Sequence, residues 1–179
     1  GMSFAWHGSW MYALLSFASV GVLVPFFFYN VFGNANRGHK IFMGDTGSLT
    51  LGFILSVMVV KYVSVMVQES SRLDGAPVVM AFSVLLVPSL DVCRVVLNRF
   101  RRRVHPFKPD KSHIHHKFLN MGFTPRRSMI LIQLMAVAFI VLTLVLLRIG
   151  LLAPVVFMLD ILVWTLMNVW FSRIIRRRA

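Results

Sequence analysis

The chain has 179 residues, 58% hydrophobic and 14% charged, with a mean hydropathy of +0.75. That composition excludes an ordinary soluble domain, which needs far more polar surface. A formal net charge of +13 raises nucleic acid as a partner, but the basic residues punctuate apolar runs instead of tiling one face. The expected partner is therefore the lipid bilayer and not nucleic acid.

Gly1-Met2-Ser3 opens the chain without a basic stretch or a small-residue cleavage site, so no signal peptide is expected. A helix needs about 20 apolar residues to cross a bilayer. Five runs qualify: 10–29, 49–67, 77–97, 129–148 and 151–171. The expected fold class is all-α, a polytopic membrane protein with five transmembrane helices in a single transmembrane domain over 1–179. Pro25, Pro88 and Pro154 lie in or near these spans, where neighbouring helices can re-satisfy the carbonyls that a proline frees. Gly75 with Pro77 marks one short turn, and Gly150 with Pro154 another. The single Cys93 excludes a disulfide framework and reads as an inert packing thiol.

Threading these spans puts sixteen of the 19 lysines and arginines on one side. Only Arg72 and Arg148 fall on the other, and Lys61 falls within a span. The positive-inside rule then makes the loops 30–48 and 98–128 cytoplasmic, together with the C-terminus. An odd number of spans beginning outside points to a longer parent protein.

The first loop reads YNVFGNANRGHKIFMGDTGS. Asn30, Asn34 and Asn36 offer amides, while Gly33, Gly38, Gly44 and Gly47 let backbone approach a ligand. Asp45 stands just ahead of the second span with Thr46 and Ser48 beside it. Two compatible readings stand: a helix N-cap, or an oxygen ligand for Mg²⁺, which commonly takes one or two carboxylates plus substrate phosphates. A helix N-terminus also favours phosphate.

In the third span Asp91 lies three residues before Arg94, near the cytoplasmic end. An i,i+3 ion pair and a site role are both open for it. The second loop, NRFRRRVHPFKPDKSHIHHKFLNMGFTPRR, is basic and dense in histidine. Pro109 and Asp110 suit a helix start, with Asp110 or Ser112 as cap. On such a helix His113 and His116 share a face while His115 points elsewhere. Zinc is disfavoured, because no Cys is near and no second His pair has ligand spacing. Imidazoles among Lys111, Lys117 and arginines suit anionic phosphates. Arg101 and Arg103, taken singly, read as topology signals and lipid-headgroup contacts. Lys61 and Asp160 lie inside spans; a buried pair between them is conceivable, and neither is assigned to a site.

Three stretches, KIFMGDTGSLTLGF at 40–53, VPSLD at 87–91 and HPFKPDKSHIHHKF at 105–118, carry a resemblance in order, spacing and membrane position. They resemble the polyprenyl-phosphate N-acetylhexosamine-1-phosphate transferase family, along essentially the whole chain. The PD-x-x-H-x-H-H form is more similar to the branch that primes O-antigen, teichoic acid or capsule synthesis than to the peptidoglycan lipid I branch. The resemblance implies a membrane fold of about ten helices, with this chain as the C-terminal half. It implies transfer of N-acetylhexosamine-1-phosphate, with N-acetylglucosamine the expected sugar, from a UDP-sugar to undecaprenyl phosphate, releasing UMP, at the cytoplasmic face of the bacterial inner membrane. Asp45 matches the family's Mg²⁺-associated aspartate in the Gly-Asp-x-Gly-Ser motif that Gly44 opens. His113, His115 and His116 match the histidine motif that holds nucleotide-sugar phosphates. His113, with Asp45, is the expected catalytic residue. Asn30 matches an asparagine near the nucleotide pocket, and Arg99 and Arg102 align less closely with basic residues of the last large loop.

The chain departs from the family in its acids. The family's early Asp-Asp pair and Asn/Asp-rich motif are absent, since the acids here are Asp45, Glu69, Asp74, Asp91, Asp110 and Asp160. The expectation is that this chain alone is inactive and works with an N-terminal half or a second copy. Two competing classes are a non-catalytic membrane assembly module, or half of a split enzyme, and a transporter subunit. Transport fits less well, because the polar residues gather in two loops on one face.

Overall fold

The structure is a computed structural model that describes residues 1–34, 38–69, 75–103, 105 and 113–178. It is 84% helical, with seven helices and no strand among the described residues, as the composition requires. They are α1 (Met2–Trp6), α2 (Trp10–Phe32), α3 (Gly44–Glu69), α4 (Ala76–Arg101), α5 (Ile114–Asn120), α6 (Pro125–Arg148) and α7 (Ala153–Arg178). Five of these, α2, α3, α4, α6 and α7, are long and apolar enough to cross a membrane. At 1.5 Å per residue, the 26 residues of α4 reach roughly 39 Å, beyond the roughly 30 Å hydrocarbon core.

The helices outrun the apolar runs because polar and capping residues continue them. Near 124, the Thr124 side chain accepts the Arg127 N–H at 3.4 Å and Pro125 occupies the first turn, so α6 starts ahead of residue 129. α4 starts after Gly75, whose left-handed φ of +69° turns the chain, with Pro77 in the first turn. α3 begins at Gly44 rather than near 49, and so takes the Gly-Asp-Thr-Gly-Ser motif into its first turn. Pro25 and Pro88 lie inside α2 and α4.

The chain divides into two compact units, Gly1–Leu73 and Asp74–Ala179. In the first, the Phe4 ring of α1 lies 5.6 Å from Tyr12 and 6.5 Å from Tyr62. Lys61 stands over the Tyr12 ring at 5.4 Å, a cation–π contact within a span.

In the second unit α4, α6 and α7 pack together, and α5 closes one end of the bundle. The core joins Leu86 and Val87 of α4, Phe139 of α6, and Trp164 and Phe171 of α7 to Ile114, Phe118 and Met121. Those last three recur at i, i+4 and i+7, one apolar face of a helix. Asp160 is buried inside the unit, where its Oδ2 accepts the Thr143 hydroxyl at 2.8 Å. Within its own unit Asp160 is thus paired with Thr143. Cys93 is exposed rather than packed, because its position on α4 lies off the face that carries Leu86, Val87, Asp91 and Val95.

Candidate functional site

Each unit carries one of the two polar clusters. In the first unit, the Asn30 side-chain amide donates to the Ile41 carbonyl at 2.8 Å, pinning the far end of the loop to the end of α2. Gly33 lies where the chain doubles back. A Cβ there would meet the carbonyl oxygens of Tyr29 at 2.1 Å and His39 at 2.3 Å, so only glycine fits. The close approach at Gly33 is to the chain's own backbone. A shallow, open groove of about 300 Å³ runs along Phe28, Tyr29, Phe32, Gly33, Asn34 and His39, apolar on its walls with an amide and an imidazole at its rim.

Gly44 takes φ +68° and delivers the chain into α3. Asp45 therefore lies inside the first turn and is not the cap. Its carboxylate is exposed and makes no ion pair among the described residues, while its backbone carbonyl accepts the Ser48 hydroxyl at 2.9 Å. A carboxylate there meets the positive end of the α3 dipole, which also favours phosphate. Asn36 and Arg37 lie outside the described residues.

In the second unit, α5 begins at Ile114 with His113 at the N-cap position in extended backbone, φ −61° and ψ 157°. Asp110 and Ser112, the expected caps, lie outside the described residues with Lys108, Pro109 and Lys111. The start at Ile114 also overturns the expected ring arrangement. Because His113 precedes the helix, its ring is not set by helical spacing. It stacks on His115 with centroids 6.1 Å apart and planes 11° apart, and His115 lies 4.1 Å from His116. The three imidazoles form one row with His115 in the middle. Burial of Ile114 and Phe118 holds the helix in place while His115 stays exposed. Loss of hydration around the ring lowers the His115 pKa, with help from His116 and His113, against an opposing pull from Asp91.

Asp91 anchors this row, and the sequence left its role open. It is 6% exposed. Its Oδ1 accepts from Arg94 Nη2 at 2.7 Å, while Oδ2 accepts from His113 Nδ1 at 3.0 Å and from the Ile114 backbone N–H at 3.1 Å. The i,i+3 spacing foretold the Arg94 pair. The bonds to 113 and 114 come from tertiary packing, which spacing cannot reveal. Lys117 anchors the other side of α5. Its ammonium donates to the Asn168 carbonyl and Asn168 Oδ1, both at 3.2 Å, and to Ser172 Oγ at 2.9 Å. Burial lowers its pKa to about 8, reinforced by Arg94 and opposed by Asp91. Asn168 and Ser172 on α7 had no signal in the sequence beyond being polar in an apolar run. Arg99 lies in the last turn of α4 and Arg102 at its C-cap, where cations complement the helix dipole.

Among the described residues no group of three or more His, Cys, Asp or Glu side chains is placed to hold a metal ion by itself.

These spans, together with bacterial relatives, define a multi-pass membrane protein. Residues 1–63 match the family model for glycosyl transferase family 4. The chain is 31% identical over 131 residues, 72% of its length, to an undecaprenyl-phosphate alpha-N-acetylglucosaminyl 1-phosphate transferase from Yersinia pestis. It is also 31% identical over 138 residues, 76% of its length, to the protein of that name from Escherichia coli K12. A Pasteurella multocida protein of the same name is 30% identical over 126 residues, 69% of the chain. The chain belongs to glycosyl transferase family 4. The matches span only 33% to 35% of these relatives' own length. No solved structure matches the chain.

Proposed function

We propose that this chain supplies the nucleotide-sugar part of an enzyme that moves N-acetylglucosamine-1-phosphate from a UDP-sugar to undecaprenyl phosphate, releasing UMP. The observation that carries the reading is the row of His113, His115 and His116, displayed beside Arg94 and Lys117 and held from behind by Asp91. Phosphate oxygens are acceptors only in this chemistry, and imidazolium groups are donors matched to them. The relatives' names support the acceptor lipid and the sugar.

In the first unit, the exposed Asp45 carboxylate at the start of α3 fits a hard cation that completes its shell with substrate phosphates. Mg²⁺ held there would neutralise charge on the pyrophosphate of the donor. Asp45 would hold the cation and the α3 N-terminus would receive phosphate oxygens. In the second unit, the histidine row would orient the nucleotide phosphates, with His113 nearest the chemistry. Asn30 and Gly44 set the course of the loop that carries Asp45, and Arg99 and Arg102 add positive charge. Most of the gain in such a transfer is orientation and electrostatics.

The charge asymmetry of the loops supports a cytoplasmic active face in the inner membrane. The acids of this chain include no adjacent Asp-Asp pair, so a base for the lipid phosphate would come from an N-terminal half or another subunit, and the chain alone would not turn over. Purified chain in nanodiscs, given undecaprenyl phosphate, Mg²⁺ and UDP-[¹⁴C]N-acetylglucosamine, should form no labelled lipid. Labelled lipid at a rate that depends on enzyme amount would show that the chain is complete. Full-length protein carrying Asp45→Asn should lose most transfer activity, and a near-normal rate would remove Asp45 from the site.

A further inference from the structure

We infer that Asp91 is a positioning residue for His113, fixing the tautomer and direction of that ring so that Nε2 is offered to the phosphate. The inference deepens the transferase reading and rests on it for the identity of the ligand. Three observations carry it.

First, the carboxylate divides its work. Oδ1 is taken by Arg94, while Oδ2 reaches over to the next element and takes both His113 Nδ1 and the Ile114 N–H. A helix-surface ion pair would need only the first of these. Second, a carboxylate only accepts, so the hydrogen in the 3.0 Å contact belongs to Nδ1. In the neutral ring Nε2 is then a bare acceptor, and in the protonated ring it is a donor aimed away from Asp91. The same logic orients metal-ligating and triad histidines. Third, His113 is not inside the helix, so backbone geometry does not set its ring. Without Asp91 the ring would rotate about χ1, and the stacked alignment with His115, 11° between planes, would go with it. Arg94 supplies the charge that makes a buried carboxylate tolerable at this point.

The tautomer can be read directly. The full chain, labelled with ¹⁵N-histidine and held in nanodiscs, is examined by NMR without ligand at about pH 8.5, above the imidazole range. Wild type should show His113 with a protonated Nδ1 and a bare Nε2. Asp91→Asn keeps the shape and an acceptor for Ile114, but its amide can also donate to Nδ1, so the Nε2–H form should become populated. With the ring no longer held in one direction by a carboxylate, its Nε2 is no longer aimed at the phosphate, and UDP-N-acetylglucosamine should bind about tenfold more weakly, the scale of one misdirected hydrogen bond. Should Asp91→Asn fail to fold, the wild-type spectrum decides alone: a dominant Nε2–H form at His113 overturns the inference. An unchanged tautomer in a folded Asp91→Asn variant overturns it too. Because the tautomer is read without ligand, it stands or falls separately from the transferase reading. That reading instead fails if wild type binds no UDP-N-acetylglucosamine.

Discussion

His113 Nδ1 and Asp91 Oδ2 lie 3.0 Å apart although 22 positions separate them in the chain. The contact fastens the histidine segment to α4, and the Ile114 N–H doubles it. Asp91→Ala should therefore release the start of α5, because Arg94 loses its carboxylate and two donors lose their acceptor. Breaking a buried, paired charge costs about 3 kcal/mol. Hydrogen exchange should show amides 114–118 losing protection while those of α6 keep theirs. Equal protection across α5 in the variant would mean that apolar packing alone holds the helix.

Apolar packing makes its own prediction. Phe118 is 5% exposed and touches Phe171 and Phe123 with ring centroids 5.3 and 6.0 Å away. Phe118→Ala should cost about 3 kcal/mol, the usual range for an aromatic truncated in a core. Thermal unfolding in detergent should register the loss, and the His113–His115 stack should loosen with it. A stable variant with the stack intact would place the docking energy in Asp91 and Lys117 instead.

Lys117 couples the site to pH. Its three donors meet three acceptors on α7, yet burial holds its pKa at about 8 against an ordinary 10.5. Between those values the unfolded chain binds the proton and the folded chain has released it, so stability rises with pH across that window. Below about 8 the cost of the buried cation is fully present. The unfolding midpoint of wild type should climb from about pH 8 towards 10.5 relative to Lys117→Met, in which this group's contribution is absent. Parallel curves for the two proteins would show that the ammonium is not held as described.

Deeper in the second unit, Thr143 donates to Asp160 at 2.8 Å, and Asp160 Oδ1 has no hydrogen-bond partner among the described residues. Thr143→Val should cost about 1 kcal/mol, typical of a hydrogen bond within a membrane. Asp160→Leu combined with it should cost less than the two changes added, because the orphaned carboxyl is removed. Additive losses in the double-mutant cycle would mean that the two residues do not interact.

The spans, the short turns at Gly75 and Gly150, and the all-α class were legible because apolar length and turn chemistry are local properties. Helix ends were harder: the Gly44–Ser48 motif is polar, so hydropathy placed it in the loop, although small polar residues are favourable in a first turn. The three histidines were visible as a cluster, but their alignment was not. That alignment follows from where α5 begins, which the burial of Ile114, Phe118 and Met121 decides. Asp91 could be seen to pair with Arg94 by spacing, while its hold on His113 is a contact between elements that no local pattern encodes. Asn168 and Ser172 were hidden for the same reason.

The most direct measurement is binding of UDP-N-acetylglucosamine to the purified chain in nanodiscs, with Mg²⁺ and with chelator, for wild type, Asp45→Asn and His113→Ala. The account predicts saturable binding that needs Mg²⁺ and falls by about tenfold or more in each variant, as the loss of a charge-assisted contact requires. Binding of equal strength without Mg²⁺ and in both variants, or no saturable binding at all, would contradict it.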